Sequence, residues 1–395
     1  MFIFLKPADT LFFRDGKPFD AGTDSFAGGI FPPYPSTLYG VLRSAIMMNA
    51  KVDFEKFIKV DNYNHNIEEV GTKDKLGTLS IAGPWLAGAL KNSLYVDYFP
   101  SPLNLVLDEN NRREIYFITP RENNSIPPLW DLPITFNPLL PEMNVKVKSA
   151  EAYLNIAVAK KLLKGVIPYA HEIIQPSRLF KRDIKTGIKR NISSRVAQEG
   201  MLYSEIHFQM NMDDPTLYDV GLIFEVSHDG HLPEKGYIQI GGEARGAFIQ
   251  KVRDIKRFDE SDEKEIAEII CKNKRFFIWL ITPAIFKNNF LPDFIDKDSL
   301  EGSIECNGSS INVRLISCQT GRAIHIGGFD LAKGFPKIMR KAVPARSIYF
   351  FSLLDHNISD GVIRNFIKTY TLKPMPSHNE DIRKQGFGVI LIGGV

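Results

Sequence analysis

Hydrophobic residues open the chain as an unbroken run, Phe2-Ile3-Phe4-Leu5, closed by Lys6-Pro7. A second such run, Phe276-Phe277-Ile278-Trp279-Leu280-Ile281, is closed by Thr282-Pro283. Short apolar runs bounded by turn formers predict buried strands. After the first run, Leu38, Val41, Leu42, Ala45 and Ile46 fall at helical spacing. Pro32, Pro33 and Pro35 hold the approach extended, and Ser36 is placed to cap the helix. Each half then reaches a glycine-rich turn feeding a hydrophobic strand: Ile240-Gly241-Gly242-Glu243-Ala244-Arg245-Gly246 in the first, Gln385-Gly386-Phe387-Gly388-Val389-Ile390 in the second. A shared order of elements, met twice, predicts two copies of one small sheet-and-helix unit.

The intervening pattern fills in both units. Leu103–Leu107 and Glu114–Ile118 flank a polar turn and predict a hairpin. A helix is expected from Ser149 through Tyr153, Ile156 and Ala157, with Lys160, Lys161 and Lys164 near its end and Gly165 as its stop. Residues 51–80 are polar and read as a loop, and the prolines of 120–141 keep that stretch on the surface. The charged, helix-like segment 254–272 marks the boundary between units. Beyond it, 311–317, 322–326 and 348–353 read as strands, and Asp360 begins a helix carrying Val362, Ile363, Phe366, Ile367 and Tyr370. Strand, helix, two strands, helix, strand is the ferredoxin-like order. The expectation is an α+β protein with two tandem ferredoxin-like (RRM-like) domains, 1–255 and 256–395. The first would carry insertions at about 51–80 and 120–145 and a basic hairpin at 176–205.

Composition adds bounds. A chain of 395 residues exceeds one typical core, and 44% hydrophobic with 24% charged residues is globular. Cys271, Cys306 and Cys318 form no CxxC pair, so they read as small buried hydrophobes in a reducing, cytoplasmic setting. No run reaches membrane-spanning length, and Met1–Leu5 is too short for a signal core.

The net charge of +3 hides a strong asymmetry. Arg178, Lys181, Arg182, Lys185, Lys189, Arg190 and Arg195 face Asp183 alone, an excess of six positive charges, with Thr186-Gly187 as the expected hairpin tip. A second acid-free stretch holds Lys333, Lys337, Arg340, Lys341 and Arg346. Such segments suit a phosphate backbone, with a solvated face or an acidic protein neighbour as the alternatives. Glycine turns open backbone amides to phosphate, which makes Gly242, Gly386 and Gly388 candidate contacts beside Arg245. Ser36 and Thr37 stand at a helix start that suits an anion, with Arg14 and Arg43 near in sequence. The histidines show no metal-ligand spacing, and no nucleophile, base and orienting acid assemble along the chain.

The sequence resembles the repeat-associated RNA-binding proteins of CRISPR systems, the RAMP superfamily, and within it the third-subunit family of the Cmr (type III-B) effector complex. The resemblance is carried by Phe12-Phe13-Arg14-Asp15-Gly16-Lys17-Pro18-Phe19, Phe31-Pro32-Pro33-Tyr34-Pro35-Ser36-Thr37-Leu38 with Arg43, and Gly241-Gly242-Glu243 with Arg245. It continues through Gly327-Gly328-Phe329-Asp330, Lys341-Ala342-Val343-Pro344-Ala345 and Gly386-Phe387-Gly388, in the expected order over nearly the whole chain. Arg346, where a glycine is expected, and the final Val395, where an aromatic is, depart from the pattern. The resemblance implies a non-catalytic subunit without a cofactor. Its implied partners are the 5′ repeat-derived handle of the guide RNA, the large polymerase-like Cmr subunit and a backbone Cmr subunit. A metal-independent ribonuclease and a purely structural adaptor remain alternatives at this point.

Overall fold

The computed structural model describes residues 1–14, 26–60, 63, 65–90, 94–111, 113–120, 146–211, 216–227, 230–243, 245–252, 257–355 and 357–395. The expectations at Asp15-Gly16, across 121–141 and at His228 and His356 lie outside the described residues.

In the first half, β1 (Phe2–Pro7) leads to α1 (Pro35–Asn49), then β2 (Ile81–Leu90), β3 (Tyr95–Pro100), β4 (Tyr153–Asn155) and α2 (Ile156–Leu163). There follow β5 (Phe180–Arg190), β6 (Ala197–Met210), β7 (Leu217–Val226), β8 (Lys235–Gln239) and β9 (Gly246–Val252). Seven of these strands form one sheet in the order β8-β9-β1-β7-β2-β3-β4, every pairing antiparallel. In the second half, α3 (Glu260–Asn273) precedes β10 (Arg275–Leu280), β11 (Glu301–Cys306), β12 (Ser309–Gln319), β13 (Ile348–Leu353), α4 (Asp360–Tyr370) and β14 (Ile390–Gly394). The second sheet runs β11-β12-β13-β10-β14.

The four strands β9-β1-β7-β2 and the four strands β14-β10-β13-β12 share one spatial order: last, first, third, second. The helices are divided between the halves. The first half keeps the helix after its opening strand, α1, and inserts β8 where a second would stand. The second half keeps the later helix, α4, and among the described residues no helix stands between β10 and β11. Its place is taken by α3, which precedes β10 and packs against α4 and β14. The structure is therefore α+β, with strand order rather than helix complement repeated.

Alternation along β1 explains the layering. Ile3 and Leu5 point to one face, where they pack with Leu38, Leu42 and Ile46 of α1. Phe4 points to the other, into a core shared by both halves that includes Trp85, Phe99, Leu162, Phe276 and Trp279. The ring of Phe99 lies 5.9 Å from Trp85 and 6.5 Å from Trp279, and the Trp279 indole donates across the halves to the Pro100 carbonyl at 3.1 Å.

Three local expectations are corrected. α1 starts at Pro35 after Tyr34, so Ser36 is inside the first turn and does not cap it. α2 starts at Ile156, capped by Asn155, because Tyr153–Asn155 is drawn into the sheet beside β3. Thr186-Gly187 is mid-strand in β5, with the Tyr203 ring lying against Gly187; the turn is Asn191–Val196, where the Asn191 side chain accepts from the Ser193 and Ser194 amides. Residues 51–80 also hold a short helix, Phe54–Lys59, capped by Asp53.

Two ion-pair networks stand at the junction. Arg257 and Asp97 form a buried bidentate pair, with the guanidinium 3.6 Å from the Phe2 ring centroid. Asp262, in the capping box of α3, pairs with Lys160 at 2.6 Å and Lys164 at 3.0 Å from α2. Asp97→Ala would strand the Arg257 charge and should lower unfolding free energy by about 3–5 kcal/mol in denaturant titration. Burial raises the Asp262 carboxyl, but hydrogen bonds from Lys160, Lys164 and the Asp259 amide outweigh it and hold the group below its ordinary 3.8. Its contribution is thus present above that value and lost as pH falls through the lower folded-state value. Asp262→Asn should destabilise at neutral pH, and the difference from the parent should shrink in acid, as read by thermal unfolding across a pH series.

Candidate nucleic-acid interface

The basic segment forms a two-stranded arm, β5 and β6, joined at its base by a parallel pairing to Phe26–Ala27. Aromatic packing roots it: Phe31 lies 4.7 Å from Phe180 and 5.1 Å from Phe208, and Phe12 stacks on His207 at 5.1 Å. Beyond this root one face carries Arg182, Ile184, Thr186, Ile188 and Arg190, with Leu202 paired opposite Ile188. Ile184 is 63% exposed and Leu202 57%. Arg178, Lys181, Arg182 and Arg190 are exposed; the Lys189 side chain lies outside the described residues. The arm thus offers cations and apolar side chains together on a ribbon with no core of its own.

The glycine loop after β8 meets the arm at its root. Gly241 has φ +74°, and a Cβ there would stand 2.4 Å from the Phe12 carbonyl oxygen. The Gly242 amide donates to that carbonyl at 2.9 Å, so it is already engaged. Arg245 donates to Asp9 and Glu243, both at 2.9 Å. Glu243, in the left-handed region at φ +53°, faces Glu205 and the fully buried His207. Burial and then the Glu243 carboxyl push the Glu205 carboxyl up, while the Arg245 hydrogen bond draws Glu243 down. Sequence reading missed this cluster, because only the i, i+2 spacing of Glu205 and His207 on one strand face is local.

Several of the other expected contact residues are engaged within the protein. Arg43 donates to the Val70 carbonyl at 3.0 Å and the Thr72 carbonyl at 2.9 Å, holding the loop across α1, and burial lowers its pKa. Arg346 donates to the Ser101 and Ala150 carbonyls and the Ser149 hydroxyl at 2.7–2.9 Å, tying the second half to the first, and burial lowers its pKa too. Its φ of +75° explains why glycine is expected there: the backbone is left-handed. The Gly386 and Gly388 turn, expected to cradle phosphate, is buried. Gly386 sits against β2, where a Cβ would stand 2.6 Å from the Gly83 carbonyl oxygen. Its amide donates to the Arg383 carbonyl, and the Gly388 amide to the Pro283 carbonyl. Ser36 and Thr37 are half-buried in the first turn of α1. Arg14 is exposed and bridges Gly29, and Arg340 and Lys341 are exposed on a short strand paired with 324–326.

The model of the family described as "CRISPR-associated protein (Cas_Cmr3)" matches residues 3–395. The chain belongs to the Cas_Cmr3 family of CRISPR-associated proteins. No curated protein matches. Two solved structures are similar at 16% identity over 93% of this chain: a chain of a "Type III-B Cmr-beta bound to cognate target RNA and AMPPnP, state 1" (TM-score 0.48, 89% of that chain) and one of a "Type III-B Cmr-beta bound to cognate target RNA" (TM-score 0.47, 93% of that chain). Arg43, Arg346, Gly386 and Gly388 are thus engaged within the protein, while Arg178, Arg182 and Arg190 of the arm and Arg340 and Lys341 of the second half are exposed.

Cys271, Cys306 and Cys318 are free, and burial pushes the Cys318 thiol up to about 12. Among the described residues no helix is long and apolar enough to cross a membrane. Gly386→Ala would force a side chain into a left-handed turn closed against β2, and should cost about 2 kcal/mol or more in thermal or chemical unfolding.

Proposed function

We propose that this protein is a non-catalytic RNA-binding subunit of a cytoplasmic type III-B CRISPR ribonucleoprotein. It holds the 5′ repeat-derived handle of the guide RNA and docks the large polymerase-like subunit and a backbone subunit. The observation that carries the RNA reading is the arm, where Arg178, Arg182 and Arg190 stand exposed with Asp183 as the sole acid in the segment. Membership of the Cas_Cmr3 family supports the place in the complex.

The division of labour follows from the chemistry of RNA. Phosphate contacts from arginine fix register, and unstacked bases supply the sequence information. The exposed Ile184, Ile188 and Leu202 between the arginines suit base faces, which single-stranded RNA presents and a duplex hides. Both halves then act as a mount for this arm, and the exposed Arg340 and Lys341 extend the cationic surface of the second half.

The test is binding of labelled RNA with and without the handle. The parent should prefer handle-containing RNA, and equal affinity for the two would count against the reading. Arg182→Gln and Arg190→Gln should each lower affinity and reduce the slope of log K against log salt by about 0.7–1 per lost phosphate contact.

A further inference from the structure

We infer that Glu205, His207 and Glu243 form a site for one first-row divalent cation of the zinc type, which pins the root of the arm to the glycine loop. The three residues come from two elements far apart in the chain. Glu205 and His207 lie on the same side of the root of β6, although the Glu205↔Lys185 and His207↔Asp183 pairings belong to the arm. Glu243 is delivered by the loop that follows Gly241 and Gly242.

The His207–Glu205 distance matches metal coordination as well as it does a long hydrogen bond. His207 Nε2 is 3.4 Å from Glu205 Oε2 and 3.7 Å from Glu243 Oε2. Ordinary N–H···O bonds are about 2.7–3.2 Å long, so both contacts are stretched. Ligand atoms held about 2.0–2.1 Å from a shared four-coordinate ion stand about 3.3–3.4 Å apart. All three candidate ligand atoms lie within 4.8 Å of one another. The imidazole is completely buried.

Surrounding groups prepare the same site. His207 Nδ1 lies 3.3 Å from the Thr10 hydroxyl, and Thr10 also accepts from Lys185 Nζ at 2.8 Å. That contact orients the ring and leaves Nε2 facing the carboxylates, an arrangement common around metal-bound histidine. The Phe12 ring stacked on His207 closes the opposite side. Facing cations are Arg245, shared between Glu243 and Asp9, and Lys185, directed at Thr10; facing acids beyond the cluster are Asp9 and Asp183. One imidazole and two carboxylates leave a fourth position for water or an RNA phosphate oxygen. Glu243 supplies the third ligand from a left-handed backbone, a conformation that persists only where something fixes it.

The experiment uses the full chain, stripped with chelator and titrated with Zn²⁺, with bound metal and melting temperature read together. One saturable equivalent and a rise in melting temperature are expected in the parent. Glu243→Gln, at the exposed side of the cluster, should weaken affinity by more than about 100-fold, since even outer-shell changes cost about 10–100-fold. Co²⁺ in place of zinc should give the intense visible absorption of a four-coordinate N/O site, lost in the same variant. His207→Gln should behave alike; if it fails to fold, Glu243→Gln decides. Absence of a saturable equivalent in the parent, or equal binding by parent and Glu243→Gln, overturns the site.

Discussion

The common core between the two sheets is the constraint on which the rest of the molecule depends. Phe4, Trp85 and Phe99 from the first half meet Phe276 and Trp279 from the second in one continuous apolar layer. Burying aromatic side chains of this size contributes roughly 1.5–3 kcal/mol each, so no side chain in the layer is dispensable. Several polar groups at its margin are paired: Arg257 with Asp97, Asp262 with two lysines, and the Trp279 indole with a carbonyl. Fixing the halves in this way gives the arm a rigid base, which a positional role requires.

Glycine and arginine serve opposite ends in the two candidate regions. At Gly241 the missing Cβ lets the loop reach the Phe12 backbone, and that approach places Glu243 and Arg245 beside the arm root. At Gly386 it lets the last turn close on β2. Arginines divide in the same fashion. Arg43 and Arg346 spend their donors on backbone carbonyls inside the protein, while Arg178, Arg182 and Arg190 keep theirs toward solvent.

Much of this order was legible in the chain. The apolar runs at Phe2 and Phe276, the 103–118 hairpin, the stop at Gly165 and the helix at Asp360 all carry local signals of period or punctuation, and each appears where those signals put it. Errors arose where tertiary pairing overrode local preference. Tyr153–Asn155 has helical neighbours yet joins the sheet, and Thr186-Gly187 is a turn dipeptide held straight by its partner strand. The candidate site was less legible still. Basic residues announce their charge but not their hydrogen-bond partners, so Arg346 and Arg182 look alike in sequence. The acid–histidine cluster needs residues 205, 207 and 243 to be brought together by folding.

The closure on Gly83 also has a temporal side. Lys384 donates to the Gly77 carbonyl and Gly386 packs on Gly83, contacts that span some three hundred residues. The surface around Ile81 and Gly83 is made on the ribosome some three hundred residues before its cover. A nascent chain therefore carries that hydrophobic edge uncovered until the second half has been made.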